Sequence, residues 1–453
     1  NSWDSTAEID RRADDEMPSD LRSEHHQPLL PSDKARQSYN APSRPNRSRR
    51  SSRFRERDND RAAAAATKTR YTYAGCFLLV SLVSFAVQTE TAVYVQHNLH
   101  WNKAYCMLYL THGSWIILYP TSLLILRLLK WRQPWNVFWR RHVTMLTQTC
   151  QMVRYRSLHI PNYMAQTSPW PFFVSTISYV TCALTLAGGS WYVAVDLTTA
   201  ADLTAIYNCS AFFAYAFAVP MLHDKLRWSK VTAVGIAMLG VLVVAYGDQG
   251  VGKHGSKSGG GTGGPHAPTD EVDNRALGNI VIGFGSVLYG FYEVLYKKVA
   301  CPPDGCPPGR GVVFANLCGT GIGIFTLTVL WVPLPILHAL GWEEFALPRG
   351  ETAWVLAISV LANATFSGSF LVLISLTSPV LSSVAALLTI FLVALCDQML
   401  PPPLYSPLTA AAMLGGLLII FAFLLLSWAT FVEMGEERAR HPEDVVESDV
   451  DEP

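Results

Sequence analysis

The sequence predicts an all-α membrane protein in which ten transmembrane helices form two inverted five-helix repeats. Three observations carry this. Apolar runs of bilayer-crossing length recur from Tyr73 onward, charge is confined to the tails and connecting segments, and a faint internal repeat divides the runs five and five. Half of the residues are hydrophobic and only 15% are charged, which sets the chain apart from an ordinary globular composition.

A helix rises about 1.5 Å per residue, so crossing roughly 30 Å of hydrocarbon takes ~20 apolar residues. The runs of this kind are 73–95, 104–126, 170–195, 203–222, 229–246, 278–296, 311–330, 353–375, 380–400 and 404–431. They must be helices, because a backbone in lipid has to satisfy its own hydrogen bonds and no alternating barrel pattern is present. The fifth run is short, and the seventh fades into Trp331-Val332-Pro333-Leu334-Pro335.

The connecting segments fix the orientation. Residues 1–70 are rich in Ser, Asp, Arg and Pro and are expected to form a disordered cytoplasmic tail. They hold no apolar run of signal-peptide length, so the first helix is expected to act as the insertion signal. A formal net charge of zero hides a basic stretch over 44–70 and an acidic end over 433–452. The basic arm reads as a flank facing anionic lipid headgroups, not as a nucleic-acid site. Arg127, Lys130, Arg132, Arg140, Arg141, Arg154 and Arg156 make the segment between the second and third runs cytoplasmic, and an even count of spans then places both termini on that side. Residues 248–277, with Gly259-Gly260-Gly261, form a flexible linker between repeats at 71–247 and 278–428, and 429–453 is an acidic cytoplasmic tail.

The repeat is legible at a few positions. Leu197-Thr198-Thr199 precedes the fourth run and Leu376-Thr377-Ser378 the ninth, and the distances from Thr198 to Gly235 and from Thr377 to Gly415 are 37 and 38 residues. Five is an odd number, so the second copy enters the membrane upside down, an arrangement that places a solute site near the midplane. The stretch from Ala200-Ala201-Asp202-Leu203-Thr204-Ala205-Ile206-Tyr207-Asn208 through Val219-Pro220-Met221-Leu222 to Gly235-Ile236-Ala237-Met238-Leu239-Gly240-Val241 resembles the drug/metabolite transporter superfamily, in particular its EamA-like ten-helix transporters. Among these the chain looks most like the solute carriers related to nucleotide-sugar and thiamine carriers. Asp224 stands where the family commonly has Glu, and Pro401-Pro402-Pro403 departs from the acidic turn in the second half. The resemblance implies alternating access with both termini cytosolic, in an endomembrane, vacuolar or Golgi, and it is compatible with a homodimer.

An ionisable side chain within a span costs at least ~2.5–3.5 kcal/mol on insertion scales, so each asks for an explanation. Glu90 and Glu293 lie at corresponding depths in the first and sixth runs. They are candidates to bind a cationic solute or carry a coupling proton; the plainer alternative is an interfacial position, with Glu293 paired to Lys297 one turn on. His112, within Thr111-His112-Gly113-Ser114-Trp115, can relay a proton or join helices. Asn208, with its neighbour Tyr207 in the family-like motif, and Asn363 are candidates to line the pathway or to cross-link helices. Trp101, Trp115, Trp170, Trp191, Trp331 and Trp428 read as an interfacial belt.

Other classes are disfavoured. No Lys or Arg interrupts the interior of any run, whereas a nucleotide-sugar antiporter is expected to offer cations to its phosphates. Neither a GxxxxGK[ST] loop nor HExxH occurs, and Cys301 and Cys306 lack the second pair that a structural zinc site needs. The sequence thus predicts a secondary transporter of a small neutral or cationic organic solute, thiamine-like in the sharpest version, proton-coupled or exchanging, without cofactor or metal and not an enzyme. The rivals are a nucleotide-sugar antiporter and a membrane receptor or scaffold that moves nothing.

Overall fold

A computed structural model describes residues 47–198, 200–247, 269–303, 305–390, 392 and 410–440. Residues 1–56 and 57–453 form two compact units. Of the first, only the helical residues from Arg47 are described, and every membrane-crossing stretch lies in the second. All regular structure among the described residues is helical.

The helices, in chain order, are α1 (Arg47–Val93), α2 (Ala104–Gly113), α3 (Leu118–Leu129), α4 (Trp135–Tyr155), α5 (Asn162–Ala165), α6 (Trp170–Leu197), α7 (Ala200–Asn208) and α8 (Ser210–Leu222), then α9 (Trp228–Tyr246), α10 (Thr269–Ala300), α11 (Pro308–Val329), α12 (Pro333–Ala339), α13 (Glu351–Leu376), α14 (Pro379–Ala386) and α15 (Ala410–Arg440). A π turn, Tyr94–Asn98, ends α1, and a 3-10 turn, Ser114–Ile117, joins α2 to α3.

Eight stretches are long and apolar enough to cross a membrane: Lys68–Gln96, Ala104–Leu129, Trp170–Ala194, Ala205–Leu222, Ala276–Ala300, Pro308–Val329, Glu351–Leu376 and Ala410–Glu433. Two shorter apolar helices, Trp228–Val244 and Pro379–Ile390, fall on the fifth and ninth predicted runs. Most of the ninth run beyond residue 390, much of the linker, and the outer parts of both tails lie outside the described residues.

Three local expectations change. α1 begins at Arg47, inside the segment expected to be disordered, where five consecutive alanines from Ala62 to Ala66 favour helix. α10 likewise begins at Thr269, inside the expected linker. The basic segment between the second and third spans contains a 21-residue helix, α4, that exposes Trp135, Trp139, Arg140 and Arg141 and buries Phe138, His142 and Leu146. That two-faced pattern is one of a helix lying along the bundle, which counting charges alone does not reveal.

The bundle is apolar outward. On α15, Leu414, Leu417, Phe421, Leu424, Trp428 and Phe431 are exposed at alternating steps of three and four residues, a single stripe suited to lipid. On α10, Leu277, Ile280 and Phe284 face outward while Tyr292, Glu293 and Tyr296 are buried. The tightest pairs are α6 with α10 and α9 with α15; α10 also packs on α7 and α8, α11 on α13, α2 and α3, and α14 on α8. α9 and α15 meet backbone to backbone: a Cβ on Gly240 would lie 2.8 Å from the Gly415 carbonyl oxygen, and one on Gly415 would lie 2.6 Å from that of Gly240. At one end of this pair, Lys230 and Arg227 both contact the Glu433 carboxylate, and Arg227 also pairs with Glu436 at 2.6 Å.

Candidate functional site: an aromatic cavity within the bundle

The second span is interrupted where it meets the bundle centre. At the 3-10 turn the backbone loses the regular i to i−4 ladder, and α11 supplies the missing partner. The Thr320 hydroxyl accepts from the Tyr119 amide at 2.8 Å and lies 3.3 Å from the Trp115 carbonyl. Gly323 allows this approach, since a Cβ there would sit 2.4 Å from the Ile116 nitrogen. The break turns Trp115 inward beside His112, the two rings meeting edge to face with centroids 5.2 Å apart.

These two residues form one wall of a cavity whose empty space, counting its open mouth, is about 650 Å³. Phe85 and Gln88 of α1 and Trp191 and Tyr192 of α6 extend the wall. Tyr207 of α7 faces Tyr289 of α10 at 5.2 Å, and Tyr289 continues to Tyr292 at 5.7 Å. From α13 come Asn363, Ser367 and the stacked pair Phe366 and Phe370, with Phe366 also 4.7 Å from Phe85. No Lys, Arg, Asp or Glu among the described residues lines the cavity.

Its polar groups are few and oriented. The Trp115 indole N–H donates to Asn363 Oδ1 at 2.8 Å, which fixes the amide so that its NH2 is the group left for other partners. His112 Nδ1 is buried without a hydrogen-bond partner among the described residues. Gly188 gives the ring room, since a Cβ there would come to 3.0 Å from His112 Cε1.

The structure therefore brings His112, Tyr207 and Asn363 to one cavity. Glu293 lies behind it on α10, fully buried, with one carboxyl oxygen held by Ser383 of α14 and the other without a partner among the described residues. Tyr207, Tyr289 and Tyr292 of the cavity wall lie within electrostatic reach of its carboxyl. Glu90 and Asn208 are partly buried and stand outside the lining. The Glu293–Lys297 pair, the plainer alternative that the sequence offers, does not form. Lys297 Nζ instead donates to the carbonyls of Ser375 and Thr377 at 3.1 and 3.0 Å, capping the end of α13 with Arg70, which bonds the Leu376 carbonyl.

The opposite ends are also clasped. Glu343, after α12, accepts from the Tyr105 and Cys106 amides at 2.8 Å each and so caps the first turn of α2, while the Tyr94 hydroxyl donates to Glu351 at 3.0 Å. His338 Nδ1 accepts from the Phe345 amide. The loop acids and histidine thus have structural partners.

Of the aromatic lining, only Tyr207 and His112 stand out in the sequence. Trp115 is 3% exposed, and Trp191 also faces the cavity, whereas Trp170, Trp331 and Trp428 are exposed in the way expected of a belt. The small polar run His112-Gly113-Ser114 ahead of Trp115 is the signal that separates this tryptophan from the others.

No family model matches the chain. It is 27% identical over 289 residues to the uncharacterized transporter C405.03c of Schizosaccharomyces pombe, covering 61% of this chain and 76% of that protein. It is 27% identical over 238 residues to the uncharacterized vacuolar membrane protein YML018C of Saccharomyces cerevisiae, and 25% identical over 260 residues to solute carrier family 35 member F5 of Macaca fascicularis. Those matches cover 51% and 56% of this chain, and the chain spans about half the length of each of the two, 55% and 53%. A solved structure covering 79% of the chain superposes at 13% identity with a TM-score of 0.48, too low to carry an argument. The chain is similar to solute-carrier transporters in a superfamily of the drug/metabolite transporter kind, and these relatives support a membrane transporter of small solutes, not an enzyme.

Proposed function

We propose that the chain is a secondary transporter that moves a small, flat, neutral or cationic organic solute across an endomembrane by alternating access, with the aromatic cavity as its binding site. One observation carries the substrate class: the lining is built of aromatic faces with a few amide, imidazole and hydroxyl groups and, among the described residues, no fixed charge. Aromatic faces bind flat rings by stacking and cations through their quadrupoles, each contact contributing ~0.5–2 kcal/mol. Nothing in the lining among the described residues matches a diphosphate, which selects arginine and lysine.

The ten-helix, two-repeat organisation of the EamA-like type is part of the same reading, with repeats at 71–247 and 278–428 and both termini cytosolic. Helix pairing supports it. A two-fold relation that exchanges spans one to five with six to ten maps the contacts of α9 with α15, α8 with α14, and the second span with α11 each onto itself. It maps α6 with α10 onto α13 with α1, a contact made by Phe366 with Phe85 and by the Ser359 hydroxyl with the Gln88 carbonyl. The vacuolar name of the yeast relative supports an endomembrane.

The test is a thermal-shift screen of the purified full-length protein with thiamine, other cationic metabolites, neutral heterocycles and nucleotide sugars. A solute at 100 times its Kd adds about 2.7 kcal/mol of stability. Stabilisation by an uncharged or cationic ring, lost in Asn363→Leu, is expected. Stabilisation by nucleotide sugars alone would overturn the substrate class.

A further inference from the structure

The hydrogen bonds around Glu293 admit only one economical arrangement of protons. The Ser383 hydroxyl lies in contact with two oxygens, Glu293 Oε2 and the Pro379 carbonyl, the latter at 2.8 Å. A hydroxyl has a single hydrogen to give and a carbonyl none, so if Ser383 satisfies its own helix, the proton between Ser383 and Glu293 belongs to the carboxyl. The alternative is an ionised carboxylate with 0% exposure and one oxygen without a partner among the described residues. Unpaired ions of that kind are too costly to bury.

No described cation rescues the ionised form. Lys297, one turn along the same helix, is spent on the end of α13. Among the described residues, the titratable groups within electrostatic reach of the carboxyl are Tyr207 of α7 and Tyr289 and Tyr292 of α10, all phenols, and α14 brings only the hydroxyl of Ser383. The same tyrosines form the cavity wall.

We infer that Glu293 is the proton-carrying group of the transport cycle: it holds a proton, donated to Ser383, while the cavity is empty, and gives it up when a positive charge enters against the tyrosine wall. The proton leaves as a hydrated proton, and the carboxylate left behind balances the cation, so one proton is exchanged for each unit of positive charge bound. This rests on the aromatic cavity being the solute site, and it makes the carrier an exchanger of protons for organic cations.

Two measurements on the purified full-length protein test this. The first is the infrared carbonyl band of a neutral carboxyl at neutral pH, taken as the difference between wild type and Glu293→Gln. A band present in wild type, absent in Glu293→Gln and shifted to higher frequency in Ser383→Ala is expected. Ser383→Ala keeps the carboxyl and serves as the test if Glu293→Gln does not fold. No neutral-carboxyl band assignable to these variants overturns the inference whatever the cavity binds. The second is proton release into a weakly buffered solution on adding N-methylquinolinium, a flat aromatic cation with no proton of its own to lose. Binding with about one proton released per cation is expected. Binding without proton release overturns the inference and leaves the cavity reading intact. Failure of N-methylquinolinium and every other flat aromatic cation to bind overturns both.

Discussion

Replacing Gly240 with alanine tests the closest helix crossing in the bundle, and the structure supplies its own control on the same helix. A Cβ at Gly240 would lie 2.8 Å from the Gly415 carbonyl oxygen and 2.8 Å from Ile419 Cγ1. Comfortable carbon contacts begin near 3.5 Å, so α9 and α15 must part by about 0.5–1 Å. Overpacking of this kind costs ~1–3 kcal/mol. A Cβ at Gly235, five residues earlier, meets nothing within 4 Å. Both substitutions gain the same preference of alanine over glycine in a helix, about 1 kcal/mol, so the difference between them isolates the packing cost. Apparent melting midpoints of purified Gly240→Ala and Gly235→Ala in one detergent give the answer. Gly235→Ala should match or exceed wild type, and Gly240→Ala should lie below Gly235→Ala by the equivalent of ~1–3 kcal/mol. Equal midpoints would refute the close crossing of these two helices.

Lys230→Met leaves the nearly buried Glu433 with Arg227 alone and should lower the melting midpoint by the equivalent of ~1–3 kcal/mol; Lys230→Met with Glu433→Met should recover much of that loss. His142, on α4, is buried and bonded to the Tyr119 hydroxyl at 2.9 Å, and burial lowers its pKa below the ordinary 6.5. Its neutral form therefore contributes stability above pH 6.5 that is lost as the pH falls through the folded-state value, so His142→Phe should flatten the decline in melting midpoint on acidification.

Hydropathy made the spans legible because lipid imposes one rule on every residue of a crossing segment, and the exposed stripe on α15 is that rule seen from outside. The cavity was less legible because its aromatics come from six spans, and each one alone is an ordinary apolar residue of its own run. Hydropathy alone reads Trp115 as interfacial, because the 3-10 turn that carries it inward depends on Thr320 and Gly323, some 200 residues away. Glu293 stands out as a lone carboxylate in an apolar run, but the sequence hides its partner. The i, i+4 rule points to Lys297, and only the fold shows that the carbonyls at the end of α13 compete for that ammonium while α14 brings Ser383 to the carboxyl.

The most direct test of the central claim is uptake of a cavity-binding solute into proteoliposomes holding the full-length protein or a folded Tyr289→Leu variant, which removes one face of the tyrosine wall. The wild type should take up the solute under an imposed proton gradient, and the variant should lose most of that uptake with its melting midpoint preserved. Uptake by the variant equal to wild type, or no uptake by wild type of any solute that binds, would contradict a transport site in the aromatic cavity.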